Sequence, residues 1–263
     1  MAMKPRPLSF RTPWYHGWNI LFAAMLFQAL TWGLVATFTL FVASWMAAFH
    51  ATRAEIMLAI LLELTAVGLL APIVGWLVDR TPSGLVVAVG GLAFSCGMLL
   101  IAVSTQLWEV LVAYAVFLSI GKSAAGPLTA SMLAVRWFSR RRGLALGISA
   151  TGTAVGSIML VPLAATLIAH IGWRGAHLVF ALICIATLLP LAIFVIRSSP
   201  ASAGVDPEPE AEAPLKATKA NTPASAARSW TTVQILCAPV LLIIVFAVLP
   251  FNIVTNAVGA NFG

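Results

Sequence analysis

The chain has 263 residues, of which 61% are hydrophobic and only 9% charged, and its formal net charge is +7. A mean hydropathy of +1.00 excludes an ordinary soluble domain, which is about a quarter charged. The basic excess does not mark a nucleic-acid binder, because the lysines and arginines sit in short breaks between apolar stretches rather than on one soluble face.

Seven apolar segments follow in order, at 18–49, 56–78, 84–104, 107–135, 143–169, 175–196 and 231–258. Each exceeds the ~20 residues a helix needs to cross the hydrocarbon core. None alternates polar and apolar side chains as a barrel strand of ~10 residues would, so the predicted fold class is an all-α membrane protein. Residues 1–17 carry Lys4, Arg6 and Arg11 ahead of an apolar run too long for a signal-peptide core, so that run is kept as the first membrane helix. The first six segments make a six-helix bundle over 18–197. Residues 198–230, rich in Ala, Ser, Pro, Glu and Lys, read as a disordered cytoplasmic linker, and a seventh helix is expected within 231–263.

Orientation comes from the basic residues. With the N-terminus in the cytoplasm, twelve of the fifteen fall on the cytoplasmic side, including Arg80, Arg136, Arg140, Arg141, Arg142 and Arg197. Only Arg53 and Arg174 fall outside, and Lys122 lies within a helix. The predicted location is therefore a bacterial inner membrane with a cytoplasmic N-terminus. Segment lengths of 32, 23 and 21 residues are followed by 29, 27 and 22, a long, medium, short triplet that fits a 3+3 inverted repeat.

Several motifs resemble a known family. Gly75-Trp-Leu-Val-Asp-Arg80 resembles the Gly-x-x-x-Asp-Arg loop between the second and third helices of major facilitator superfamily transporters. Thr81-Pro-Ser-Gly84 departs from that loop by shifting its glycine and supplying no second basic residue. Arg136-Trp-Phe-Ser-Arg-Arg-Arg-Gly-Leu-Ala-Leu-Gly147 is similar to the fourth-to-fifth helix junction of the monocarboxylate and oxalate/formate branch, as is Gly172-Trp-Arg-Gly175. The resemblance implies the N-terminal half of such a carrier plus its seventh helix, with five further helices missing and needed for activity. It implies a small organic anion moved by alternating access, and a cytoplasmic latch built from Asp79, Arg80, Arg136 and Arg140. A non-transporting membrane remnant or a membrane interaction protein is the competing expectation.

Glu63 and Lys122 are the ionisable side chains deep in the first six segments, where a charge costs ~2.5–3.5 kcal/mol on insertion scales and so is a functional suspect. At 1.5 Å per residue, Glu63 lies roughly 24 Å from Asp79 and Lys122 roughly 21 Å from Arg136, which places both near mid-membrane. Either a static Glu63–Lys122 pair or a substrate carboxylate competing for Lys122 satisfies the charge. Gln28 and Trp32, with Thr39, share one face of the first segment, and the resemblance makes that face a cavity wall. Substrate contacts are therefore expected at Lys122, Gln28, Trp32 and Glu63, with proton coupling left open.

Gly121-Lys-Ser123 is not a phosphate loop, because position 116 is valine and no strand precedes it, so neither a nucleotide nor a cofactor is expected. Gly121, Ala125 and Gly126 are expected to keep the fourth helix thin beside the lysine, and Pro127 to weaken its hydrogen-bond ladder. Gly143 with Gly147, and Gly152 with Gly156, form two small-x-x-x-small pairs suited to close helix approach. Cys96, Cys184 and Cys237 have no paired spacing, and His16, His50, His170 and His177 fall near segment ends without metal-ligand spacing. No nucleophile sits at helical spacing from a base, so an enzyme is not expected.

Overall fold

The computed structural model describes residues 15–138 and 141–196. Arg140, the linker at 198–230 and the seventh apolar segment lie outside the described residues. Within them every element is helical, because in lipid a backbone must satisfy its own hydrogen bonds. The elements are α1 (Gly17–Ala36), α2 (Phe38–Phe49), α3 (Arg53–Arg80), α4 (Ser83–Val103), α5 (Leu107–Val112), a π-helical turn at Ala113–Leu118, α6 (Ser119–Ala124), α7 (Pro127–Trp137), α8 (Arg142–Pro190) and a second π-helical turn at Leu191–Val195. Gly17–Ala36, Arg53–Arg80, Ser83–Val103, Leu107–Trp137 and Arg142–Val195 are each long and apolar enough to cross a membrane. The chain is a multi-pass integral membrane protein of all-α class.

Two predicted segments are broken where the sequence reads as continuous, in a way the backbone explains. The first is interrupted at Thr37, whose hydroxyl and N–H both turn back to the Leu34 carbonyl, at 2.6 and 3.1 Å. Such side-chain bonds compete with the helical ladder. The fourth breaks at Ala125–Gly126, with Gly126 extended at φ −96° and ψ −160° and Pro127 opening α7. Proline has no N–H for the carbonyl four residues back, and it pushes the residue before it out of the helical region. Between the fifth and sixth segments the backbone leaves the helical region at Gly172 (φ 72°, ψ 173°), which divides α8 into two helices. A side chain at that φ would be strained, and glycine is not.

The helices pack through small residues. A Cβ added to Gly156 would run into the Ala29 carbonyl, one on Gly152 into the Met25 carbonyl, and one on Gly33 would lie 2.6 Å from the Gly156 carbonyl carbon. Thus α1 and the first half of α8 touch backbone to backbone. Gly143 and Gly147 meet nothing within 4 Å, so the two small-residue pairs of this helix are not equivalent. The second half of α8 lies against α4, where Gly91 meets the Leu188 side chain. Phe27, Phe38, Phe41, Trp45, Phe94 and Phe180 fill the core. By contrast α3 exposes Leu61, Leu64, Leu69 and Ile73 and buries only Ile56, Ala59, Glu63, Val74 and Val78.

Candidate functional site

Two carboxylates on α3 meet two cations on the fourth segment. The start of α3 is set by a capping box in which Thr52 Oγ1 accepts from the Glu55 N–H at 3.3 Å and the Glu55 carboxylate accepts from the Thr52 N–H at 2.7 Å. From there Ile56, Ala59 and Glu63 recur on one face, which is the face turned inward. Glu63 is the carboxylate on the buried side of an otherwise exposed helix.

Opposite it stands Lys122, on the short α6 between a π-helical turn and the break at Ala125–Gly126. Gly121 brings α6 close to α4, since a Cβ there would sit 2.9 Å from the Gly90 carbonyl oxygen. The Lys122 Nζ lies 3.3 Å from Glu63 Oε1, with the two side chains 2% and 0% exposed. Apart from Lys122, neither oxygen of Glu63 has a hydrogen-bond partner among the described residues. The same ammonium sits 4.2 Å from the centre of the Trp32 ring, and Trp32 is 37% exposed. Lys122 is therefore held between a buried carboxylate and the face of a partly exposed indole. A desolvated cation on an aromatic face gains on the order of 2 kcal/mol. Beside the break, the Ser123 and Thr129 hydroxyls are buried with no partner among the described residues.

Gln28 does not join this group. Its Nε2 donates to the Ser149 carbonyl at 2.9 Å and to Ser149 Oγ at 2.7 Å, so it ties α1 to α8 one turn from the glycine contact. Thr39 is exposed.

At the cytoplasmic end predicted for α3, Asp79 Oδ1 pairs with Arg136 Nη2 at 2.7 Å, and Arg136 Nη1 also donates to the Val78 carbonyl at 3.3 Å. These side chains are 62% and 29% exposed. Arg80 turns away from them and stacks on Trp76, 4.6 Å from the ring centre, and Arg140 lies outside the described residues. Close by in sequence, the Tyr15 hydroxyl donates to the Trp137 carbonyl at 2.6 Å. Sequence reasoning passed over that contact. Tyr15, shortly after Arg11, and Trp137, beside Arg136, were the available signal, since such aromatics gather at membrane surfaces.

At the opposite end His177 is buried inside the bundle. Its ring packs 4.2 Å from Phe41 and 5.7 Å from Trp45, with Nδ1 2.8 Å from the Trp173 carbonyl. Arg174 donates to the Ser104 carbonyl at 2.9 Å, linking the start of the sixth segment to the end of α4. Among the described residues no group of three His, Cys, Asp or Glu side chains could hold a metal ion.

The family model described as Major Facilitator Superfamily matches residues 20–262. An uncharacterized MFS-type transporter, YcxA of Bacillus subtilis, is 27% identical over 183 residues, which cover 70% of this chain and 45% of the relative. Monocarboxylate transporter 13 of Bos taurus is 28% identical over 67% of this chain and 43% of its own length. Riboflavin transporter RibJ of Trypanosoma brucei brucei is 31% identical over 51% of this chain and 24% of its own. The chain thus spans less than half the length of these curated relatives.

Proposed function

The chain belongs to the Major Facilitator Superfamily, and we propose that it serves as a secondary active transporter of a small, monocarboxylate-like organic anion working by alternating access. The observation that carries this reading is Lys122, a cation 3% exposed at mid-bundle, reached on one side by an exposed indole and balanced on the other by a single carboxylate. A substrate carboxylate arriving at Nζ replaces one anion by another and forms charge-assisted hydrogen bonds in a medium of low dielectric. Trp32 supplies the apolar wall against which the rest of a small acid packs, and Gln28 holds the helix that carries Trp32 in register with α8. The presence of monocarboxylate transporters among the relatives supports the same substrate class.

In this reading the membrane is a bacterial inner membrane and the N-terminus faces the cytoplasm, so that the arginines at 136–142 lie inside. The Asp79–Arg136 pair then latches the cytoplasmic ends of α3 and α7 in one conformation and must open in the other. No step requires an enzyme's covalent chemistry or a bound cofactor.

The test is uptake by the full-length protein in proteoliposomes of radiolabelled pyruvate, lactate and acetate, with riboflavin as a neutral comparator. At least one carboxylate is expected to enter, and Lys122→Gln to abolish its uptake without altering insertion. Wild-type uptake by Lys122→Gln, or entry of the neutral comparator alone, would overturn the assignment, and the absence of any uptake would favour a non-transporting membrane protein.

A further inference from the structure

The charge of Lys122 suits it to an anion, yet a dissolved molecule has almost no access to it. Its side chain is 2% exposed, and the Glu63 side chain behind it is 0% exposed. The partly exposed group in contact with the ammonium is the Trp32 indole, whose ring centre lies 4.2 Å from Nζ. The same ring reaches the break in the fourth segment, where its Nε1 lies 3.7 Å from the point that a Cβ on Gly126 would occupy. One flat side chain thus covers the lysine and borders the break beside it.

The backbone that carries this ring is fixed on both sides of it. Leu30, Thr31 and Leu34 are buried. Four residues before Trp32, Gln28 donates twice to Ser149, and one residue after it Gly33 packs on the Gly156 backbone, which a Cβ would approach to 2.6 Å. α1 therefore cannot lift Trp32 off the lysine without parting from α8. The indole can leave by turning about its own side-chain bonds, which have alternative staggered settings. What it gives up is the attraction between a cation and a ring face.

A carboxylate interacts with that ammonium more strongly than a ring face does, because hydrogen bonds between two charged groups are the strong ones. We propose that Trp32 is a lid on Lys122, lying on the ammonium while the site is empty and turning aside when a carboxylate takes its place. This rests on Lys122 being the anion contact. The lid keeps water and small inorganic anions off the lysine when no substrate is present. Turned aside, the same ring becomes the wall against which the rest of the acid packs.

The experiment measures how fast a water-soluble active ester of acetic acid acylates Lys122 in purified full-length protein, by mass spectrometry, with Lys4 as the internal reference. Trp32→Ala is expected to raise the Lys122 rate roughly 10-fold or more over wild type, the factor equivalent to losing a desolvated cation–π contact. Trp32→Phe, which keeps a smaller ring face, should stay within ~3-fold of wild type. Rates taken from about pH 7 to pH 10 separate uncovering of the lysine from a change in its ionisation. Added pyruvate, lactate or acetate, whichever the wild type carries, should then protect Lys122 in Trp32→Ala. Equal rates in wild type and Trp32→Ala overturn the lid and leave the transport assignment standing. A raised rate that none of the three acids suppresses means that Lys122 is not the anion contact, so the assignment of the site fails and the lid with it. If Trp32→Ala does not insert, Trp32→Leu, which fills more of the space without an aromatic face, decides the matter by a rise of at least ~3-fold.

Discussion

The two ion pairs joining α3 to the fourth segment have the same polarity and different surroundings. Asp79–Arg136 is the shorter, at 2.7 Å, yet it sits in side chains 62% and 29% exposed; Glu63–Lys122 is longer, at 3.3 Å, with both side chains sealed. Water screens the first whatever its geometry, and such pairs contribute ~0.2–1 kcal/mol. The second offsets its own desolvation at best, but neither member can be lost without leaving the other buried and unpaired. Distance therefore says little here, and burial decides which pair the protein depends on. An exposed pair that breaks at low cost suits a latch that must open in every cycle. A sealed pair that exchanges one partner for another suits a binding site.

The largest expected effect tests the sealed pair directly. Lys122→Gln should destabilise the protein by ~3–5 kcal/mol, read as a lower midpoint of thermal unfolding in detergent. The Glu63→Gln/Lys122→Gln double variant, which holds no buried charge, should recover most of that loss. Equal destabilisation by Lys122→Gln and Asp79→Asn would erase the contrast.

A second contrast involves shape rather than charge. Gly156→Leu drives a side chain into the Ala29 backbone and should cost about 1–3 kcal/mol by overpacking. Gly143→Leu, in open space, should stay within ~0.5 kcal/mol on the same unfolding assay. Equal losses from the two would mean that both glycine pairs are packed.

The smallest effect belongs to the exposed pair. Asp79→Asn should lower stability by less than ~1 kcal/mol, and that difference should shrink as salt is raised from about 0.01 to 1 M. A large, salt-independent loss would place the pair in a far less polar setting than its exposure indicates.

Much of this was legible in the sequence, for identifiable reasons. Membrane spans are long and apolar because lipid leaves the backbone no alternative, so an all-helical, multi-pass fold follows from composition. The shared depth of Glu63 and Lys122 follows from counting along straight helices, and their proximity in the fold requires only that α3 and α6 be neighbours. Pro127 marked the weak point of the fourth segment, although the full break at Ala125–Gly126 depends also on Gly126, where a Cβ would run into the Lys122 carbonyl.

What could not be read depended on rotation about helix axes. Gln28 and Trp32 are four residues apart on one face, yet one turns to Ser149 and the other to Lys122. Gly143 and Gly152 belong to the same kind of pair in the same helix, and only the second has a neighbour. His177 lies one turn beyond the kink at Gly172, so its burial depended on how sharply that glycine bends the chain. Residues 140 and 198–263, which include a predicted latch arginine and the seventh segment, lie outside the described residues.

The central claim, that the sealed cation rather than the exposed one touches the ligand, is tested most directly by equilibrium binding of the transported radiolabelled carboxylate to purified full-length protein. Binding should disappear in Lys122→Gln, whereas Arg136→Gln, which alters only the exposed pair, should shift affinity by no more than ~5-fold. Undiminished binding by Lys122→Gln would contradict the account.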